Sequence, residues 1–561
     1  MILYALTIFT SAFLLFLVQP VMAKQILPWF GGSAAVWTVC MVFFQFLLLF
    51  GYAYSDFTTR RMKPKSQLIL HAALLVISLI SLPIIPGAGW KPAGDEDPTW
   101  RILGLLTATI GLPYFLLSTT GPLVQAWFAR AHASGTVYRL FALSNFASLL
   151  ALISYPFAVE PWITTQVQSY AWSAGYVLFV VVCIATGYYS LRHHEAQVAE
   201  AKPADDNAPA PKLSDYALWL LLSGMGSFML LAVTNSITHD VASVPFLWLL
   251  PLTLYLITFI LCFEGSGWYN RIYFIGPLIV VVCAMTWYIN EQGGIMEFKT
   301  AVPLFSVGLF VMCMFFHGEL AALKPSPRYL TTFFLMVSLG GALGGVVVGF
   351  IAPKFFNTYY EFGIGLVLTL VIAAFLLLEQ MRIVPMIALV ATGFAGYHTY
   401  HYIHSLSNDA KVMTRNFYGT LRVKDTGPAT DEKSMCRLMH GVIMHGEQYL
   451  HEKKRHRITT YYTESSGVGL STKYFQAGGP VNIGVVGLGT GTMAAYGRAG
   501  DTVRFYEINP QVVDIAKRDF KFIADSKGRV DTVLGDARLA TEREAPQQYD
   551  VLAIEIGRAH V

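Results

Sequence analysis

Over its first four hundred positions the chain carries its apolar residues in long blocks, each close to the ~20 residues a helix needs to cross ~30 Å of hydrocarbon. The blocks lie near 2–22, 33–55, 66–86, 102–128, 138–158, 169–191, 215–236, 244–263, 271–289, 301–317, 329–352, 362–379 and 383–403. They predict a polytopic α-helical membrane domain of about thirteen spans. A polar stretch from Arg192, RHHEAQVAEAKPADDNAPAPKLSDY, divides these blocks six and seven. Its Pro, Ala and Asp content cannot bury a core, so it reads as a flexible linker. From Lys411 the pattern changes: FYGTLRV, GVIMHG and ITTYYTE are short β-like runs between polar turns, which predicts a small antiparallel sheet. After Gly478-Gly479-Pro480 strands and helices alternate through VNIGVVG, TMAAYGRAG, TVRFYEI, PQVVDIAKRDFKFI, RVDTVLGD and YDVLAIE. Such alternation builds a parallel sheet with helices on its faces.

Composition agrees with this division. Of 561 residues, 55% are hydrophobic and 13% charged, with a mean hydropathy of +0.51, about half the ~25% charge of a soluble domain. A net charge of +4, with no run of five or six like charges, gives no footprint for nucleic acid. Five of the six cysteines (Cys40, Cys183, Cys262, Cys283 and Cys313) lie in apolar segments without metal-site spacing, so they read as small core residues and no metal is expected. The opening MILYALTIFTSAFLLFLVQP lacks a basic leader and reads as the first span.

Basic residues set the expected orientation. Arg60, Arg61, Lys63 and Lys65 follow the second block, Arg130 and Arg139 the fourth, Arg192, Lys202 and Lys212 the sixth, and Lys324 and Arg328 the tenth. All are even-numbered exits, which predicts a cytoplasmic N-terminus. Thirteen spans would then carry the C-terminal part outside. The last block, with Gly393, Gly396, His398 and His401, is the one whose sequence also suits an interfacial or re-entrant helix. Within the spans, His239-Asp240, His317 and Glu319 lie at or near block ends and Asn145 and Asn235 within or close to them. Ionisable groups at such depth suggest a proton or polyamine path, and their block-end positions also suit interfacial capping. Gly340, Gly341, Gly344 and Gly345 suit close helix packing.

Candidate chemistry concentrates in VVGLGTGTMAAY. Gly487, Gly489 and Gly491 form G-x-G-x-G, with Thr492 where a dinucleotide fingerprint wants its third glycine. Glu507 ends the next strand, where a carboxylate could accept from ribose hydroxyls, and Asp536 and Ala537 follow the third, where Asp536 could meet an adenine amino group. Three features at successive strand ends suggest one crevice for an adenosyl cofactor. A purely structural turn, with Glu507 ahead of Pro510 and Asp536 as a helix cap, is the alternative.

With NFYGTLRV, LMHGVIMHGEQYL, TTYYTESSGVGL, GLGTG, YEINP and GDAR, and in the membrane part LPWFGGSAAVWTVCMVFFQ and HGELAALKPSPRYLTTFFLMVSLGGALGGVVVGFIAP, the chain resembles the spermidine/spermine synthases in their bacterial membrane-fused form. That resemblance implies an inner-membrane transferase moving an aminopropyl group from decarboxylated S-adenosylmethionine to a polyamine. It implies an α/β Rossmann-like (class I S-adenosylmethionine-binding) domain, and substrate contacts at Gln448, Tyr462, His440 and His445. The supply of such a co-substrate favours a cytoplasmic C-terminal domain. Leu488 and Thr490 depart from the family's glycine loop and keep an S-adenosylmethionine-dependent methyltransferase open. A membrane transporter or polyamine sensor with a nucleoside-binding domain is a further alternative. The family's catalytic aspartate is expected after the fourth strand, near Glu555, but there the chain reads IGRAHV, the translation of a common sequencing-adapter oligonucleotide. The expectation is a truncated, inactive chain with a non-native tail. The expected divisions are membrane halves at 1–191 and 215–404 about a linker at 192–214, a β-rich region at 411–479, the Rossmann-like domain at 480–555 and the tail at 556–561.

Overall fold

The computed structural model describes the chain apart from residues 93, 95–96, 132–136, 198–209, 240–244, 265–266, 293–296, 327–328, 379–383, 442 and 555–561. The expectations for Asp240, Lys202, Arg328, Glu555 and the tail 556–561 lie outside the described residues.

Each apolar block becomes a helix, because in hydrocarbon the backbone can satisfy its N–H and C=O groups only within its own segment. In order these are α1 (Ile2–Ile26), α2 (Ala34–Arg61), α3 (Pro64–Ser78), α4 (Pro98–Leu106), α5 (Leu112–Ala131), α6 (Val137–Ser154) and α7 (Thr165–Gln197). There follow α8 (Leu213–His239), α9 (Pro245–Glu264), α10 (Arg271–Gln292), α11 (Phe298–Ala322), α12 (Leu330–Val346), α13 (Ala352–Phe355), α14 (Tyr360–Leu377) and α15 (Val384–Asn408). A π-turn at Thr107–Gly111 joins α4 to α5, and another at Val347–Ile351 joins α12 to α13, so each pair forms one traverse. Among the described residues, 10 helices are long and apolar enough to cross a membrane, and Leu143–Val159 and Leu247–Phe263 are shorter apolar helices. The last block, α15, is not among the ten. It is nonetheless an unbroken helix of 25 residues packed along α14 and α10, which a re-entrant segment would not be.

The helices gather into two groups. In the first, α1 packs on α5, α6 and α7, and α2 on α5; in the second, α8 packs on α11 and α12, and α9 and α10 on α11. The groups meet along α2 with α12 and α6 with α9. The glycines of α12 permit its approach to α8: a Cβ on Gly340 would meet the carbonyl oxygen of Leu220, and one on Gly344 that of Gly224.

Short connections make successive traverses antiparallel, and polar contacts mark the two ends. At one end Asp56 and Arg60, closing α2, bond Thr331 and Thr332 opening α12. Lys324 donates there to the carbonyl of Phe263, and Trp219 to that of Leu323. This end bears the basic loops. At the other end Lys24 pairs with Glu160, and the chain after α15 folds against it.

That C-terminal part begins with an antiparallel meander, β1 (Val412–Asn416), β2 (Gly419–Asp425), β3 (Met435–His440) and β4 (Ile443–Tyr449). Helix α16 (Gly467–Gln476) leads to β5 (Asn482–Val486), β6 (Thr502–Glu507), α17 (Pro510–Asp519), β7 (Arg529–Leu534), α18 (Ala537–Arg543) and β8 (Val551–Ile554). The four last strands are parallel in the order β7-β6-β5-β8. The segment TMAAYGRAG, expected as a helix, makes only a 3-10 turn over Thr492–Tyr496. Gly491 in the left-handed region before it and Gly497 after it leave no room for a longer run.

The sheets are fixed to the helices through the end opposite the basic loops. Arg415 of β1 forms a two-pronged pair with Glu361 of α14, at 2.9 and 3.0 Å, with both side chains almost fully buried. Gly31, between α1 and α2, leaves space for Ile508, and Gly94, before α4, lies against Leu534 and Gly535. Lys91 reaches Glu542 at 3.3 Å. Removing one member of a buried pair strands the other charge and costs about 3–5 kcal/mol. Glu361→Ala is expected to lower the unfolding temperature and expose the segment after α15 to protease; a cleavage pattern and melting profile matching the parent protein would show that the pair does not hold the two parts together.

Candidate functional site

Polar side chains inside the helical region are costly unless they pair with one another or face a cavity. Here many of them face a central cavity of about 220 Å³ bounded by both helix groups. The first group contributes Ser11 and Gln19 (α1), Gln45 and Tyr52 (α2), Tyr114, Ser118 and Gln125 (α5), and Ser144, Asn145 and Ser148 (α6). The second contributes Ser227 (α8), Tyr255 and Phe259 (α9), and Phe334 and Ser338 (α12). Leu15, Phe16, Phe44, Leu230 and Leu256 supply apolar wall between them, and among the described residues no lining residue carries a formal charge.

Several of these groups are held in place by protein bonds. Gln19 donates to the Tyr114 hydroxyl at 3.1 Å, and Ser118 to the carbonyl of Leu47 at 3.0 Å. Gln45 and Ser338 also line the cavity, and their Oε1 and Oγ atoms are buried with no hydrogen-bond partner among the described residues, Gln45 Oε1 lying against Gly345 of α12. A buried acceptor left unsatisfied costs about 1–3 kcal/mol, which a bound solute or water would recover. Of this set the sequence singled out only Asn145. Isolated glutamines and serines within apolar blocks were the available signal.

The cavity lies toward the basic-loop end and is closed at the other. There Trp37, near the start of α2, stacks on Trp248, near the start of α9, with ring centroids 5.4 Å apart and planes within 18°. Both rings are buried. Beside them Thr38 donates to Asn235 Oδ1 at 2.9 Å, so the closure joins the first helix group to the second. Asn235 thus has a structural role in that closure.

The glycine loop of the C-terminal part is differently occupied. Gly487, Gly489 and Gly491 all adopt positive φ, so the turn needs glycine for its backbone. The close approach that their missing side chains permit is made by the protein itself: a Cβ on Gly489 would lie 2.6 Å from the carbonyl oxygen of His445 in β4. Two of the loop N–H groups are committed within the protein, Gly487 to Tyr506 O and Gly491 to Leu488 O, both at 2.8 Å. The Glu507 carboxylate accepts from Leu488 N at 2.9 Å and Asn509 N at 2.8 Å. Asp536 caps α18 by accepting from Leu539 N at 3.0 Å, with Ala537 opening that helix.

The residues expected on the substrate side are spread over the meander and the turn after it. His440 bonds the carbonyl of Tyr418 through Nε2 at 3.0 Å and has its ring 5.3 Å from that of His445. Gln448 uses both ends of its amide, donating to Arg455 O and accepting from Lys521 N. Tyr462 is buried, and its carbonyl accepts from the Tyr496 hydroxyl. The structure brings His445 to the glycine loop and leaves Gln448 tying β4 to the segment around Lys521. A second cavity of about 250 Å³ lies where Leu534, Gly535 and Asp536 meet Trp29, Phe30 and Gly94 of the helical part. Tyr418 borders it, and burial, then Asp97, Glu507 and Asp536, push its hydroxyl up to about 12.

No family model matches the chain, and no curated protein does. Among solved structures it is similar to a mutant of the peptide transporter POT in complex with sulfate, at 13% identity over 71% of this chain and 95% of that one, with a TM-score of 0.43. It is similar to the human organic anion transporter MFSD10 (TETRAN), at 10% identity over 71% of this chain and 99% of that one, TM-score 0.38. The nucleoside transporter NupG matches at 13% identity over 72% of this chain and 99% of that one, TM-score 0.38. All three of these solved proteins are described as membrane transporters.

The resemblance to the spermidine/spermine synthases is therefore corrected: these matches are membrane transporters. The transferase assignment, the role in polyamine biosynthesis, the decarboxylated S-adenosylmethionine or S-adenosylmethionine co-substrate and the methyltransferase alternative fall with it. The geometry gives the physical reason: β4 presses on the glycine loop, Glu507 bonds that loop's own backbone, and a five-residue 3-10 turn stands where a helix N-terminus was expected.

If the tryptophan stack is the closure, Trp37→Ala should open it. In a background with the native cysteines replaced, Ser338→Cys should then react faster with a membrane-impermeant thiol reagent added from the side that carries the C-terminal sheets. Equal labelling with and without Trp37→Ala would show that the cavity is closed elsewhere.

Proposed function

We propose that the protein carries a small uncharged solute across the membrane by alternating access, two helix groups rocking about a site between them. The observation that supports this most directly is the central cavity, lined from both groups by glutamines, serines, tyrosines and an asparagine without a charged residue. Sites at such an interface, near mid-membrane, suit exposure first to one side and then to the other. In this arrangement the stacked tryptophans form the closed gate and the basic-loop end the open one. We propose the groups as 1–191 and 215–404, joined by the linker 192–214.

The lining also bears on the solute. A polyamine would bring several positive charges into low dielectric with no carboxylate to meet them, which desolvation strongly disfavours. A neutral molecule with hydroxyl or amide groups and an apolar or aromatic face fits the wall chemistry better. The C-terminal part, 411–479 with a Rossmann-like 480–555, then acts as an accessory unit. Its contacts with the segments around Gly31, Gly94 and Glu361, opposite the basic loops, support a location outside the cytoplasm under the positive-inside tendency. A co-substrate made in the cytosol would not reach it there.

The test is uptake into proteoliposomes containing the purified full chain, with radiolabelled uridine and glucose as neutral probes and spermidine as the charged contrast. Uptake of a neutral probe is expected, with spermidine excluded, and Gln125→Leu should reduce the rate by about tenfold, as loss of about 1.4 kcal/mol would. Spermidine uptake in preference to both neutral probes would overturn the proposal.

A further inference from the structure

Directly behind the cavity wall stands His317 of α11, fully buried within the second helix group. Its Nδ1 is 3.0 Å from Thr258 Oγ1, and that hydroxyl is 2.8 Å from the carbonyl oxygen of Tyr255. A threonine hydroxyl has one hydrogen, and a carbonyl oxygen can only accept. Thr258 therefore donates to Tyr255 and accepts from His317, which puts the imidazole hydrogen on Nδ1. Nε2 is left with a bare lone pair, and it has no hydrogen-bond partner among the described residues. Gly226 of α8 packs against that atom: a Cβ there would lie 3.1 Å from it, so only glycine fits beside the bare nitrogen.

The surroundings suit a group that changes charge. The ring of Tyr255 meets the imidazole edge-on at 4.7 Å, and that of Phe259 lies 4.3 Å away. Tyr255, Phe259 and Ser227 are themselves cavity-lining residues. The titratable and charged groups around His317 are few. Tyr255 packs on it from α9, Gly226 lies against it from α8, and Cys313 and Glu319 flank it on α11. Glu319 is already engaged, accepting from Arg271 Nε at 2.7 Å and from the Tyr269 hydroxyl at 2.6 Å. That pair neutralises itself toward the basic-loop end, so no free carboxylate stands ready as a counter-ion.

We propose that His317 Nε2 is the binding site of a coupling proton, so that solute movement through the adjacent cavity is driven by a proton gradient. This rests on the transport reading. One proton from solution binds the Nε2 lone pair, the imidazole becomes a cation, and release on the other side returns the neutral ring. No other bond is made or broken. Thr258 is a positioning residue, since it holds the hydrogen on Nδ1 and leaves Nε2 to take the proton.

Two measurements on the full chain test this. In proteoliposomes a one-unit pH gradient can sustain up to about tenfold accumulation of a neutral solute moving with one proton. Wild-type protein should accumulate uridine or glucose toward that limit, whereas His317→Gln should only equilibrate it, and Thr258→Val should shift the pH at which accumulation is half maximal. Wild-type equilibration without accumulation, or accumulation by His317→Gln equal to wild type, would overturn the proposal. The second measurement needs no solute: infrared difference spectra between about pH 4 and pH 8 should contain a histidine protonation band that His317→Gln lacks. A chain that moves no probe but shows this band supports the proton site and contradicts the transport reading. Identical spectra from wild type and variant overturn the proton site whatever the transport result.

Discussion

Hydrocarbon offers no hydrogen bonds, and the arrangement of the helical part follows from that constraint. Apolar side chains can face lipid, whereas each glutamine, serine and tyrosine must find a partner or a polar space. The helices meet that demand with pairs inside each group and across the seam between them. Gln19 bonds Tyr114, Thr38 bonds Asn235, and Ser227 lies 3.4 Å from the Tyr255 hydroxyl. Gln45 Oε1 of α2, packed on Gly345 of α12, and Ser338 Oγ of α12 stay without a hydrogen-bond partner among the described residues. A cavity built this way is polar, with no formal charge among its described lining residues.

The same constraint explains how the C-terminal sheets are attached. They meet the helices through short connecting segments at one end, where a carboxylate and a guanidinium can be buried together without being placed in hydrocarbon. Glu361 and Arg415 do this, and glycines at 31 and 94 let backbone and side chains of the α/β part approach closely. These attachments touch the first helix group near α1 and α4 and the second near α14. Any relative movement of the groups at that end must be accommodated by this surface.

Much of the helical part was legible in the sequence, because a block of about twenty apolar residues has few other solutions. The helices begin and end close to the block limits, and the tight packing of Gly340 and Gly344 was readable from small-residue spacing. The four-stranded meander was legible from its short runs and turns. The glycine loop was legible only in part. G-x-G-x-G correctly signals positive φ at Gly487, Gly489 and Gly491, but a backbone motif cannot say whether a ligand or a neighbouring strand fills the space it opens. Here His445 does. The cavity residues were mostly missed for a different reason: Gln19, Gln45, Gln125 and Ser338 are ordinary single polar residues until two distant segments of chain bring them to one wall. His317 stood out in the sequence as an intramembrane ionisable group, whereas the orientation of its free nitrogen depends on Thr258, 59 residues away.

The central claim is that the two helix groups change their separation about this seam. It is tested most directly by the distance between spin labels at Lys65, after α2, and Leu213, opening α8, both exposed at the basic-loop end. Measured by pulsed electron resonance in lipid, the account predicts two distance populations, with the shorter one gaining weight in Trp37→Ala, where the opposite gate is weakened. A single distribution, unchanged by that substitution, would contradict it.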